Sequence, residues 1–170
     1  DTKTVQSYFQ ILEDTLVGSM LPAYHQSIRK RQRQNPKFYF FDGGVSRALS
    51  FTHSIALTPR TSAYGDAFEH FIILEVFRMN SYLEKDFKLS YLATSDIEID
   101  LVIERPGQKL LFIEIKSTDF VRDNELRGLK QIMQDVKDSE AICISQESRT
   151  RKSANIMIYP WHEALKQIFK

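Results

Sequence analysis

Residues 97–118, Ile-Glu-Ile-Asp-Leu-Val-Ile-Glu-Arg-Pro-Gly-Gln-Lys-Leu-Leu-Phe-Ile-Glu-Ile-Lys-Ser-Thr, read as two strands joined by a turn. Ile97, Ile99, Leu101 and Ile103 alternate with Glu98, Asp100, Val102 and Glu104, the period-2 pattern of a strand with two distinct faces. Arg105-Pro106-Gly107-Gln108 supplies the turn. The second strand, Lys109 to Lys116, opens with the apolar run Leu110-Leu111-Phe112-Ile113, which predicts a central strand covered on both faces. It nevertheless ends Glu114-Ile115-Lys116, and period 2 sets Glu114 and Lys116 on one face. A carboxylate and an ammonium at the end of a buried strand cost stability unless they pair or bind something. Asp100, on the neighbouring strand, is a third candidate member of that group.

The rest of the chain supplies a setting for those strands. Its 170 residues, 42% hydrophobic and 26% charged, suit one domain with a sizeable core, or one domain plus a small appendage. The net charge of +1 excludes no partner, but Arg29, Lys30, Arg31, Arg33 and Lys37 are crowded together while acidic residues gather later. The single cysteine, Cys143, lies in the apolar run Ala141-Ile142-Cys143-Ile144 and reads as a small core residue; with no internal disulfide possible, a reducing, cytoplasmic setting is expected. No apolar run approaches the roughly 20 residues of a membrane helix, so no membrane partner is expected.

Thr2 or Thr4 can cap a first helix whose Val5, Tyr8, Phe9, Ile11, Leu12 and Leu16 form one apolar stripe that should pack on something, with Gly18 ending it. A strand through Met20 to Tyr24, a basic connection, a strand Phe38 to Phe41 and a short helix capped by Asp42 complete a helix-plus-wing subdomain over residues 1–50. Residues 51–61, aperiodic and containing Pro59, read as a linker. The main domain, 62–170, opens with a helix from Ser62 to Leu83 that is apolar on nearly every face, so its polar exceptions, Glu69 and Glu75, call for a role. A strand Lys88 to Ala93, the two strands above, a helix Asp123 to Val136, strands Ala141 to Ser145 and Ile156 to Tyr159, and a helix started by Pro160 follow. Residues 146–153 read as a polar, basic loop carrying Arg149, Arg151 and Lys152. That order predicts an α/β sandwich around a mixed sheet.

Asp100, then thirteen residues, then Glu114-Ile115-Lys116, with Glu69 on a preceding buried helix, resembles the PD-(D/E)XK nuclease superfamily, the restriction-endonuclease-like fold. Within it the chain looks most like the nuclease-type domain that follows an AAA-type ATPase module in many bacterial and archaeal proteins. The phrases carrying this closer likeness are Thr4 to Asp14, Lys37 to Gly44, Gly65-Asp66-Ala67-Phe68-Glu69, Glu98 to Val102 and Ile113 to Ser117. The resemblance implies a restriction-endonuclease-like core with a mixed central sheet flanked by helices, behind a winged-helix remnant. It also implies that an ATPase module precedes this part, in agreement with the lack of a glycine-rich Walker loop here. The proline that names the superfamily is replaced by Ile99.

The chemistry asks for these residue types on its own account. Cleaving a phosphodiester needs a hard cation, a nucleophilic water and a group to orient or deprotonate that water. Asp100 and Glu114 are oxygen donors suited to Mg2+ or Mn2+, and the Ile115 carbonyl can complete the protein's share. Lys116 would orient the nucleophile or stabilise the transition state, and Glu69 would bind the cation directly or through water. The plainer alternatives are a structural ion pair for Glu114 and Lys116 and, for Glu69, a helix carboxylate that reaches the surface or pairs with an arginine. In the superfamily a glutamine or lysine on the helix after the third strand often assists, which makes Gln131, Lys130 and Gln134 candidates. The basic run Arg29, Lys30, Arg31 and Arg33 would touch DNA phosphates, or else form a solvated hairpin tip. The expected activity is Mg2+-dependent hydrolysis of DNA; the alternative is an inactive module that binds nucleic acid or protein and serves the ATPase. His70 adjoins Glu69 but points about 100° away on a helix, and reads as structural.

Overall fold

The computed structural model describes residues 1–24 and 35–170. The basic run Arg29, Lys30, Arg31 and Arg33 lies outside the described residues. Helix α1 (Thr2–Asp14), strands β1 (Gly18–Leu21) and β2 (Lys37–Phe40) and helix α2 (Gly43–Leu49) come first, then the long helix α3 (Ser62–Tyr82). Strands β3 (Lys88–Ala93), β4 (Glu98–Glu104) and β5 (Leu110–Ile115) follow, then a 3-10 turn (Asp123–Leu126) leading into α4 (Arg127–Asp135). Strands β6 (Ser139–Ser145), β7 (Arg151–Ser153) and β8 (Ile156–Pro160) and helix α5 (Trp161–Ile168) complete the chain. The main sheet has six strands in the order β3-β4-β5-β6-β8-β7. Pairing is antiparallel from β3 to β5, parallel from β5 through β6 to β8, and antiparallel again between β7 and β8. The fold is therefore α/β with a mixed sheet flanked by helices, and no described helix is long and apolar enough to cross a membrane.

One face of the sheet buries Leu101, Ile103, Leu111 and Ile113 against Phe68, Ile72 and Val76 of α3 and Leu165 and Ile168 of α5. The other buries Ile99, Val102 and Phe112 against Leu126, Leu129 and Ile132 of the 3-10 turn and α4. β5, third in the sheet, is buried from Leu111 through Ile115, as its apolar run predicts. Gly128 lets α4 approach β4 closely, since a Cβ there would lie 3.3 Å from Ile97.

Strand β4 departs from simple alternation. Ser90 pairs with Val102 but Leu92 pairs with Ile99, so β4 carries one residue more than β3 at this point, and Asp100 and Leu101 together oppose Tyr91. Such a bulge twists the strand and re-aims the side chains on it. Ile97 and Ile99 consequently join the α4 side while Leu101 and Ile103 join the α3 side, which corrects the expectation that all four share a face.

The wing leans on the edge of this sheet. Tyr24 N donates to Tyr91 O at 2.7 Å and Tyr91 N to Pro22 O at 3.0 Å, so the chain after β1 occupies the outer backbone groups of β3, which blunts an exposed edge. Gly18 does not end α1 as expected but starts β1, where an added Cβ would lie 2.3 Å from the Phe38 ring and 2.5 Å from the Tyr39 carbonyl. The cap of α1 is Asp1 rather than a threonine. Its apolar stripe touches the wing through Phe9, whose ring lies 5.1 Å from that of Phe38, but Val5, Tyr8 and Ile11 stay more than half exposed. Residues 51–61 hold no helix or strand before Thr61, whose side chain caps α3, and α2 is capped by Asp42 as expected. β7 lies inside the segment expected to be a loop: Arg151 to Ser153 pair with Ile158 to Ile156.

Candidate active site

The bulge in β4 sets Asp100 beside the end of β5, where its Oδ2 accepts a hydrogen bond from Ile115 N at 2.7 Å. The carboxylate thus satisfies a backbone donor of the central strand. One residue back, Glu114 is 8% exposed, and its Oε1 lies 2.6 Å from Lys116 Nζ. Lys116 is held by its own backbone, since its N–H donates to Ile144 O at 2.9 Å. Glu69 arrives from α3 and accepts from Tyr39 Oη at 2.9 Å; the same Oε1 lies 3.6 Å from Lys37 Nζ. Lys37 Nζ also lies 2.9 Å from Glu98 Oε1 and sits 5.1 Å above the centre of the Tyr91 ring. The result is a cluster of four carboxylates and two ammonium groups, drawn from β2, α3, β4 and β5.

Burial is the first cause of the raised pKa of Asp100, followed by the charges of Glu114 and Glu69; the Ile115 N–H and Lys116 only partly oppose it. Burial likewise raises Glu114, against the pull of Lys116, while Glu69 and Glu98 add to the rise. Burial works against the charged form of Lys116, but Glu114 and Asp100 outweigh it and hold the ammonium above its ordinary value. Lys37 behaves in the same way, with Glu69, Glu98 and Asp100 outweighing burial. Burial, then Glu69, pushes up the Tyr39 hydroxyl, which therefore stays a donor. The Cys143 thiol is pushed up by burial and by Glu114, and at 0% exposure it is a core residue, as its setting predicted.

A raised carboxyl pKa means that the folded chain binds a proton more tightly than the unfolded chain. Stability is then fully present below the ordinary value of 3.8 and is lost as pH rises from there through the folded value. Asparagine resembles the protonated form and retains an acceptor for Ile115 N–H. Asp100→Asn should therefore be more stable than wild type at pH 7 by about 1 to 3 kcal/mol, an advantage that vanishes towards pH 3. Urea unfolding across that range checks this, and equal stabilities at pH 7 would contradict it.

The donors suit a hard divalent cation in kind: carboxylates of Asp100, Glu114 and Glu69, with the Ile115 carbonyl beside them. Burial first, then the charges of neighbouring carboxylates, raises Asp100 and Glu114, and a bound cation would relieve the repulsive part. As they stand, no group of three His, Cys, Asp or Glu among the described residues is arranged to hold an ion, and Lys37 and Lys116 engage Glu69, Glu98 and Glu114.

The other candidates fall away from this cluster. Lys130 turns to Asp123, 4.0 Å from its carboxylate, and Gln134 is exposed. Gln131 is half-buried and makes no side-chain hydrogen bond among the described residues. In the second basic segment Arg149 and Lys152 are exposed, but Arg151 forks onto both oxygens of buried Glu147, at 2.7 and 2.8 Å, and donates to Val121 O at 2.5 Å. Glu147 also accepts from Val121 N at 2.8 Å, so Arg151 fastens the segment before α4 instead of facing solvent. Glu75 is paired with Arg78 at 2.7 Å, and His70 Nε2 meets Phe40 O at 2.8 Å, both structural. Lys37, Tyr39 and Glu98 were missed as site residues. Their signal was faint: Lys37 and Tyr39 are two apart on one strand, as are Glu98 and Asp100, and Lys37 read as one more member of a basic run.

A family described as "Domain of unknown function (DUF4143)" matches residues 64–164, more than half of the 170. The chain belongs to this family. A second family, "Domain of unknown function (DUF8612)", matches residues 1–56, which include the wing. Uncharacterized proteins of Mycobacterium tuberculosis and Mycobacterium bovis are each 34% identical over 117 residues, covering 68% of this chain and 25% of the relative. The match thus spans about a quarter of the length of these relatives. No solved structure matches the chain.

Proposed function

We propose that residues 62–170 form a PD-(D/E)XK-type nuclease-like domain with a restriction-endonuclease-like core, hydrolysing DNA phosphodiester bonds with Mg2+ or Mn2+. One observation carries the reading. Asp100 is locked onto the Ile115 amide at 2.7 Å, directly beside the Glu114–Lys116 pair at 2.6 Å, at the end of a buried central strand. Asp100, Glu114 and the Ile115 carbonyl would hold the cation, with Glu69 in support. When bound, the ion supplies charge stabilisation of the phosphate and a reactive water. Lys116 keeps its proton at Nζ, so its part is to donate hydrogen bonds that orient the nucleophile and offset phosphate charge, not to remove a proton. Arg29, Lys30, Arg31 and Arg33, with Gln131, would bind DNA. The domain would serve as the C-terminal part of a larger, cytoplasmic, ATPase-linked protein; the quarter-length match leaves room for such a module in the relatives. Incubating the purified chain and supercoiled plasmid with Mg2+ or Mn2+ tests this: nicking is expected. No cleavage of any DNA form, together with no ion binding by calorimetry, would contradict it.

A second reading is favoured by the two lysines already engaged with the carboxylates: a nuclease-derived module that binds nucleic acid or protein for the ATPase and performs no chemistry. Such a module would shift DNA in a salt-dependent manner, lose the shift on neutralising Arg29 to Arg33, and be indifferent to Asp100→Ala.

A further inference from the structure

Lys37 is the first residue of β2 and pairs across the wing with Leu21. Its ammonium bridges carboxylates from two separate elements, Glu98 of β4 at 2.9 Å and Glu69 of α3 at 3.6 Å. The ring of Tyr91 closes a third side at 5.1 Å, and that ring is fixed: Tyr91 is 3% exposed and its hydroxyl donates to Asn35 O at 2.5 Å. A flexible lysine held by two anions and an aromatic face is confined at a point where several elements converge. Lys116 neutralises Glu114 in the same way. A cation on Glu69 and an ammonium on the same oxygen would repel strongly in this half-buried setting.

We propose that Lys37 is the site's built-in counter-ion and a positioning residue: it holds Glu69 and Glu98 together in the ion-free protein, and an incoming divalent cation displaces it from Glu69. Displaced, its ammonium is free to turn towards an anionic substrate. The inference rests on the metal-site reading above and adds that the wing reports on, and competes for, that site.

Calorimetric titration of the chain with MnCl2 alone tests it. Lys37→Met should bind Mn2+ about tenfold more tightly than wild type, or bind it where wild type does not, whereas Lys37→Arg should stay near wild type. Circular dichroism confirms folding, and Lys37→Gln stands in should the methionine variant not fold. Mn2+ binding by wild type that is equal or weaker in both neutral variants would overturn the role of Lys37 while leaving the metal site intact. Absence of Mn2+ binding by wild type and both neutral variants would overturn this inference and the metal-site reading together.

Discussion

Asp100→Ala is expected to lower Mg2+-dependent plasmid nicking by about a thousandfold or more, and Lys116→Ala by a comparable factor. On the proposed reading the alanine at 100 removes a cation ligand; it also removes the acceptor that Ile115 N–H meets at 2.7 Å, which fixes the end of β5 relative to β4. Positioning errors of this kind weigh heavily, because phosphoryl transfer depends on placing the water and the phosphate in line. Lys116→Ala removes the donor that the proposed reading assigns to the phosphate and leaves Glu114, 8% exposed, without its partner. Initial nicking rates, with circular dichroism to confirm folding, measure both effects. Nicking that persists in Asp100→Ala would place the activity elsewhere.

Phe112→Ala should cost about 3 to 5 kcal/mol of folding stability, read from the shift of the urea midpoint. Phe112 is fully buried in the central strand, and its ladder partners Val102 and Ala141 are too small to refill the space it vacates. Its ring meets that of Tyr24 edge-on at 6.5 Å, which adds an aromatic contact between the wing's outgoing chain and the core. Glu114 lies two residues on, on the same side of the strand, so a loosened Phe112 position also loosens the Glu114–Lys116 pair. A loss below about 1 kcal/mol would mean that β5 is not packed as described.

What sequence could convey differs between these two parts of the molecule. β3 from Lys88 to Ala93 and the start of the long helix at Ser62 agree with their expected limits because apolar periodicity is a local property. The burial of β5 and the pairing of Glu114 with Lys116 follow from one strand's alternation. The bulge at Asp100 and Leu101 does not, since it exists only in the register with Tyr91, and alternation alone assigned Ile97 to Ile103 a single face. Lys37 shows the same limit: nothing near it in sequence announces Glu69 or Glu98, and only folding brings β2 across them. Arg151 read as one member of a polar, basic loop because its partner Glu147 and the Val121 carbonyl meet it through the turn into β7. The stripe on α1 was legible as amphipathic, but Val5, Tyr8 and Ile11 remain exposed in this chain.

The most direct test is a crystal of the chain soaked in Mn2+ and measured for anomalous scattering. A peak is expected between the carboxylates of Asp100 and Glu114, within reach of the Ile115 carbonyl, with Lys37 withdrawn from Glu69. No peak there, with Lys37 still on Glu69 and Lys116 still on Glu114 at saturating Mn2+, would contradict the metal-dependent site.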